Sequence, residues 1–252
     1  MKVSIITTCY NREATIRDCI ESVLSQDYPD IEYIVIDGAS KDNSLAIINE
    51  YKDRIDKIVS EADGGMYEAI NKGIRLATGD IIGLLHSDDF FYKKDRISLI
   101  VGAMDENGAD IVYGNGLFVN KDNPDVIVRK WISRSFSRLK MRFGWLPLHP
   151  TVYVKRKCIL RCGLYNENYR IAADSDFLVR YFYKAEFKIH YLDKYIVRMR
   201  MGGLSTDPKK MIQKWKEDLQ IYRSHGFLPK LTLACKVLSK VPQYVEAKFI
   251  NL

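Results

Sequence analysis

The chain has 252 residues, of which 47% are hydrophobic and 28% charged, a balance that excludes a disordered chain and supports one large domain or a domain with an appendage. Its five cysteines form no Cys-x-x-Cys pair and its first residues carry no apolar leader, so a reducing, cytoplasmic setting is expected. The longest uncharged stretch, Phe143 to Val154, is too short and too proline-rich for a bilayer-spanning helix. Net charge is +7, and it is uneven: residues 126–166 hold ten Lys/Arg and no acid, and residues 209–252 hold nine bases and three acids. The remainder is acidic. This pattern points to an anionic surface or acceptor near the later segments.

Val3 to Thr8 is a β-branched run, followed by Asn11 as an expected helix N-cap and by Ala14, Ile16, Ile20, Val23 and Leu24 at helical spacing. Ile31–Ile36 and Ile55–Ser60 read as strands flanking a helix over 44–51. Met66–Ala77 reads as a helix with Ala69, Ile70, Gly73 and Ile74 on one face, and Ile81–Leu85 as a fourth, fully buried strand. The β-α-β rhythm predicts a Rossmann-like, mostly parallel sheet with helices on both faces. Beyond Asp95 a helix to about Asn107 leads into short strands near 110–113, 117–119 and 126–130, with Gly114-Asn115-Gly116 as a strand connection. A helix from Asp174 to about Lys184 follows. One α/β domain is expected over 1–206, with its nucleotide part at about 1–110 and its acceptor part at 111–206, and a helical tail over 207–252.

The chain has neither Gly-x-Gly-x-x-Gly after the first strand nor a Gly-x-x-x-x-Gly-Lys-Ser/Thr loop, so dinucleotide and P-loop chemistry lose their support. Cys158 and Cys162 lack a second ligand pair, which argues against zinc. What the strand ends offer is acids. Asp37 follows the second strand, Asp88-Asp89 the fourth, and Asp174 and Asp176 lie far downstream. In open α/β sheets ligands bind at that edge. A carboxylate there accepts an imide N–H, ligates a hard cation or takes a proton, while Tyr10 offers a ring to a base. Helix N-caps are the competing reading of Asp88-Asp89 and of Asp174.

Ser-Ile-Ile-Thr-Thr-Cys-Tyr-Asn-Arg, Asp37-Gly-Ala-Ser-Lys-Asp-Asn-Ser and Glu61-Ala-Asp63-Gly-Gly-Met-Tyr67-Glu-Ala-Ile-Asn71-Lys72-Gly73, in that order, resemble family 2 glycosyltransferases. So do Asp80-Ile-Ile-Gly-Leu-Leu-His-Ser87-Asp88-Asp89 and Ile171-Ala-Ala-Asp174-Ser-Asp176-Phe-Leu-Val-Arg180. The resemblance spans roughly residues 3 to 206. It implies a GT-A fold, an inverting mechanism and a UDP-sugar donor held with Mn2+ or Mg2+. It assigns the uracil contact to Asp37, the base cradle to Thr8–Tyr10, and nucleotide contacts to Asp63, Lys72 and Asp88. Asp89 becomes the metal ligand and Asp174 the catalytic base. Ala173 stands where the family has Glu before the base, so Asp174 and Asp176 both remain candidates. His86 stands where many relatives carry Asn. The resemblance also sets His149 near the acceptor, where a structural histidine is the alternative. Gly202-Gly203-Leu204-Ser205 is either a mobile loop over the donor phosphates or an ordinary turn.

Arg134, Arg138 and Arg142 recur every four residues beside Phe136, Leu139 and Phe143, predicting a short basic helix. The basic segments 129–142 and 209–248 are expected to meet anionic lipid or a polyprenyl-linked acceptor at the inner face of the membrane, or to be a solvated face. The tail stripe Met211, Trp215, Leu219, Tyr222, Leu228, Leu231, Leu233, Val237 and Leu238 is expected to pack on the catalytic domain or on another subunit, which would make a homo-oligomer. Arg180 is expected to pair with a carboxylate or to line the helix surface. No nucleic-acid reader motif accompanies the basic charge. The expected activity is hexosyl or N-acetylhexosaminyl transfer to a glycan or lipid-linked acceptor in surface polysaccharide synthesis. The alternative is a nucleotide-sugar-binding module without transfer.

Overall fold

The computed structural model describes residues 1–202 and 208–239. Nine strands form one sheet: β1 (Val3–Cys9), β2 (Ile31–Asp37), β3 (Lys57–Ser60), β4 (Ile81–Leu84), β5 (Asp89–Phe91), β6 (Ile111–Val119), β7 (Ile127–Trp131), β8 (Tyr153–Lys155) and β9 (Ile189–Arg200). The helices are α1 (Ile16–Leu24), α2 (Ser44–Asn49), α3 (Met66–Leu76), α4 (Arg96–Glu106), α5 (Arg138–Arg142), α6 (Arg156–Cys162), α7 (Ala173–Leu178), α8 (Pro208–Ser224) and α9 (Pro229–Leu238). Sheet order is β3-β2-β1-β4-β8-β6-β9-β5, with β7 on the flank of β6. The first four strands run parallel, so their carboxyl ends, at Cys9, Asp37, Ser60 and Leu84, share one edge.

Alternation along β1 and β2 explains the layers. Ile5 and Val35 face α1, α2 and α4, while Ile6, Ile34 and Ile36 face α3 and, further along, the aromatic residues Tyr165, Phe177 and Phe182. Each strand therefore feeds two cores, as a sheet covered on both faces requires. The expected α/β GT-A architecture is present, with a helical region at its carboxyl end.

Several local expectations change. Asn11 is not a helix cap: its φ of 51° is a left-handed turn that Asn tolerates, and its Oδ1 accepts the Lys41 N–H at 2.8 Å. Gly114-Asn115-Gly116 is not a connection but the middle of β6. A Cβ at Gly114 would lie 2.6 Å from Ile196 Cγ1, and one at Gly116 2.3 Å from Leu148 Cδ2, so glycine lets neighbouring elements close in. Arg134 has φ of 60°, so the basic helix begins only at Arg138. The helix from Ala173 changes to a π-helical turn over Val179–Lys184. The expected tail stripe also divides. Tyr222 is buried and Leu233 partly so, but Met211, Trp215, Leu228, Leu231, Val237 and Leu238 are exposed, because charged residues take the inward positions. The expected domain boundary at 206–207, residues 203–205 of the glycine loop and the tail beyond Ser239 lie outside the described residues. No helix among the described residues is long and apolar enough to cross a membrane.

Glu32 ties the far end of the sheet together. Its buried carboxylate accepts from Ser4 Oγ (2.5 Å), Thr78 N (2.7 Å), Thr78 Oγ1 (2.8 Å) and Lys57 Nζ (2.9 Å). Burial opposes its ionisation, but the Ser4, Thr78 and Lys57 bonds win and hold the carboxyl down at about 2. A lowered folded-state value means stability that is complete above the ordinary carboxylate range and lost as pH falls from 4.5 toward about 2. Glu32→Gln is expected to cost about 2 kcal/mol at neutral pH and to flatten that acid limb in a Tm-against-pH series.

Candidate active site

At the carboxyl edge the turn after β2 is built by Asp37. Its Oδ1 accepts the Ser40 hydroxyl at 2.5 Å, and its Oδ2 accepts the Ser40 N–H at 3.1 Å and the Ser60 hydroxyl at 2.7 Å. Asp37 is fully buried, and both its oxygens are engaged inside the protein. Next to it Gly38 leaves a gap: a Cβ there would sit 3.4 Å from Asp63 Oδ2 and 3.5 Å from Tyr10 Cδ2. Tyr10 is 55% exposed, a free ring at the mouth of that gap. Asp63 Oδ1 is paired with Lys72 Nζ at 2.5 Å, and Lys72 also meets Glu61 at 2.7 Å. Asp63 Oδ2 is buried and has no hydrogen-bond partner. Buried oxygens are rarely left so, and an unmade bond there marks a place for a donor. Thr8 lies on the same strand end, partly buried. The structure thus brings Thr8, Tyr10, Asp37, Asp63 and Lys72 to one edge, but the open acceptor belongs to Asp63.

The acidic pair follows β4 in a tight turn, closed by Asp89 N–H to His86 O at 2.9 Å. Thr15 Oγ1 donates to Ser87 O at 2.9 Å and Cys19 Sγ to His86 O at 3.4 Å, so α1 holds the turn from one side. From the other side Arg200, at the end of β9, donates to Asp88 O at 3.0 Å and pairs with Asp18. Asp88 is partly exposed, whereas Asp89 is buried. Burial, followed by the Asp88 charge, pushes the Asp89 carboxyl well above its ordinary range, only partly offset by the Arg200 N–H and its charge. Two adjacent hard oxygen donors, one of them buried without a cation of its own, fit a divalent ion. Among the described residues no three His, Cys, Asp or Glu side chains converge as a complete cage, so such an ion would keep positions for oxygens from elsewhere.

In the same turn, His86 stacks on His149 with ring centroids 6.3 Å apart. His149 Nε2 shares a hydrogen bond with Tyr165 Oη at 2.7 Å. Burial lowers both imidazoles, His149 to about 4, against the opposing pull of nearby Asp174. Both are neutral at pH 7.

Asp174 sits in the first turn of α7, partly buried, with Oδ1 accepting the Ser175 N–H at 2.8 Å. Burial works against its ionisation, but the charges of Lys214, His149 and Lys236 and the Ser175 N–H hold its carboxyl below the ordinary range. With His149 neutral at pH 7, the two lysines carry that effect. Asp176 is differently placed. Its Oδ2 accepts from Arg180 Nε at 2.8 Å and its Oδ1 bonds His225 Nε2 at 2.9 Å, so the expected Arg180 pairing is present and neither oxygen is free.

The tail supplies what the motifs do not. Glu217 on α8 accepts the N–H groups of Ile171 and Ala172, each at 2.9 Å, and of Arg170 at 3.2 Å, fixing the strand of chain that enters α7. Tyr67 on α3 donates to Ile171 O at 2.9 Å. Lys236 on α9 bonds Ser175 Oγ at 3.1 Å and both Asp218 oxygens at 2.8 Å. One sequence signal for Glu217 and Asp218 existed: they are the only acids of a lysine-rich helix, and they are adjacent.

Residues 4–168 match the family described as glycosyl transferase family 2. A PGL/p-HBAD biosynthesis glycosyltransferase of Mycobacterium tuberculosis is 30% identical over 211 residues, covering 81% of this chain and 78% of its own length. Among solved structures, S. aureus TarS 1–349 in complex with UDP-GlcNAc superposes with a TM-score of 0.67 at 21% identity, covering 98% of this chain and 79% of that one. Of the longer TarS chain this one spans 39%. The mannosyltransferase PcManGT from Pyrobaculum calidifontis, in complex with GDP-Man and Mn2+, gives 0.64 at 16% identity over 98% of this chain and 73% of its own. At these identities the solved structures speak for the fold alone.

Proposed function

This chain belongs to glycosyl transferase family 2, and from that membership we infer that it moves a hexose or N-acetylhexosamine from a UDP-sugar onto a hydroxyl of a glycan or lipid-linked acceptor, with inversion, in surface polysaccharide synthesis. The observation that carries the donor assignment is the unpartnered Asp63 oxygen beside the Gly38 gap and the exposed Tyr10 ring. Uracil presents one imide N–H on its pairing edge and needs one acceptor. Guanine presents two donors side by side and is suited by both oxygens of a carboxylate facing it, but Asp63 turns Oδ1 to Lys72 and leaves Oδ2 as its unpartnered oxygen beside Gly38. Tyr10 covers the base face, and Asp37, which accepts from Ser40 and Ser60, shapes the turn beneath it.

Asp88 and Asp89 would hold Mn2+ or Mg2+, and the ion when bound offsets the charge that builds on the departing UDP. Asp174 receives the acceptor proton on Oδ2, the oxygen its Ser175 contact leaves available. The acceptor oxygen bonds to the anomeric carbon as the bond from that carbon to the phosphate oxygen breaks. A single carboxylate acting as base gives one displacement and therefore inversion. His86 and His149, neutral and packed together, exclude water beside Asp174 and add no charge that competes for the proton.

The donor reading is tested by calorimetric binding of UDP, dTDP and GDP to wild type and Asp63→Ala. UDP and dTDP are expected to bind and GDP to bind far more weakly, with the variant losing about tenfold for the first two. A GDP preference in wild type, or unchanged UDP affinity in Asp63→Ala, overturns the assignment.

A further inference from the structure

The buried positions of α9 are polar, Thr232 and Lys236, whereas α8 buries Ile221 and Tyr222 as well as Glu217 and Asp218. On the inward face α9 presents Thr232 and Lys236, the former bonded to Arg142 O at 2.8 Å and the latter to Asp218 and Ser175. On the outward face Leu228, Leu231 and Leu238 are 64%, 45% and 67% exposed. Leu139 and Phe143, at the neighbouring α5, are 66% and 48% exposed, and a shallow cavity of about 190 Å³ joins them to Leu228 and Leu231. A helix covered only by water turns its apolar stripe inward. This surface does the opposite, and a contiguous apolar patch of that kind marks an interaction site.

Charge tells which. In α5, α8 and α9 the only acids are Glu217 and Asp218, and both are buried, Glu217 on the N–H groups of residues 170–172 and Asp218 on Lys236. The exposed charged groups of α5 and α9 are Arg138, Lys140, Arg142 and Lys230. A second copy of this chain would set cations against cations across a two-fold axis, which costs affinity. A nucleic acid would leave the leucines uncovered. An anionic lipid surface satisfies both halves, with apolar side chains at the headgroup–acyl boundary and cations at the phosphates.

We propose that the α5–α9 face docks on the surface of an anionic phospholipid bilayer. The face does not span the bilayer; it lies on it. Because Lys236, on the reverse side of α9, reaches Ser175 beside Asp174, docking holds the α7 end of the site close to the membrane plane, where a lipid-linked hydroxyl is delivered. The docking itself stands independently of the transfer reaction.

The test is co-sedimentation of the full chain with vesicles of mixed phosphatidylcholine and phosphatidylglycerol, against phosphatidylcholine alone, at low and high salt. Wild type is expected to sediment with the mixed vesicles and to be released by salt. Leu228→Glu/Leu231→Glu and Arg142→Glu/Lys230→Glu are each expected to weaken that partition about tenfold. All four changed positions are at the surface, so thermal melting confirms folding without reference to activity. Equal partition into both vesicle types, absence of partition, or variants that sediment like wild type overturns the proposal. So does a dimer in solution that the leucine variant dissociates while vesicle binding is absent. Loss of donor turnover with intact sedimentation would instead count against the transferase mechanism.

Discussion

Asp174→Asn is expected to lower kcat for sugar transfer about a thousandfold while UDP affinity and thermal melting stay near wild type. The amide keeps the size of the side chain and the acceptor for the Ser175 N–H, but it cannot take the acceptor proton. Asp176→Asn should behave in the opposite way. Its carboxylate links Arg180 to His225, so removing the charge weakens the junction of α7 with α8 and is expected to show first as a lower Tm. The pH profile separates the two further. Lys214 and Lys236 hold Asp174 below the ordinary carboxylate range, so it is ionised through the neutral region and the acid limb of kcat/KM falls below that range. Neutralising Lys214 by Lys214→Met is expected to move that limb upward. Steady-state transfer kinetics across pH measure this. Retention of more than about a tenth of wild-type kcat in Asp174→Asn would remove Asp174 from the reaction.

The parts of the molecule that the sequence exposes are those in which a local pattern and the tertiary environment agree. β4 is an unbroken apolar run and β1 and β2 are rich in β-branched residues, all three buried on both faces, and α3 turns Ala69, Ile70 and Ile74 to the same core at the spacing its sequence shows. β9 is not legible in the sequence because it is half exposed and carries Asp193 and Lys194 in its middle, so neither alternation nor an apolar run announces it. β8 is three residues long. Its place between β4 and β6 is a tertiary fact, recorded by Tyr153 packing over Gly83. In the site, the motif positions were legible but the bonding of each carboxylate was not. Asp37 and Asp63 look alike in sequence, yet only the partners supplied by Ser40, Ser60 and Lys72 reveal which has an oxygen to give. The tail misled for the converse reason. Its hydrophobic spacing is regular, but Glu217, Asp218, Thr232 and Lys236 take inward positions beside Ile221 and Tyr222, and their burial depends on hydrogen-bond partners in other elements.

Asp89→Ala is expected to abolish metal-dependent donor turnover, a loss of about a thousandfold or more, while the protein remains folded. A carboxylate buried next to a second carboxylate is unfavourable unless a cation or several donors compensate it, and among the described residues the compensation comes from Arg200. Such a group is not kept for stability. Removing it relieves that burden, so in chelator the variant is expected to melt at or above wild type, the reverse of what a structural aspartate would do. The second consequence is linkage. Mn2+ added with UDP raises the Tm of wild type if the folded state binds them together, and that rise is expected to vanish in Asp89→Ala. Asp88→Ala should keep part of it, since Asp88 is partly exposed and its main-chain oxygen remains fixed by Arg200. Melting curves with and without Mn2+ and UDP therefore report on the acidic pair even before an acceptor is found. A wild-type-sized Mn2+ shift in Asp89→Ala, or turnover that still responds to the ion, would move the metal assignment away from β5 and leave the buried carboxyl to be explained by the fold alone.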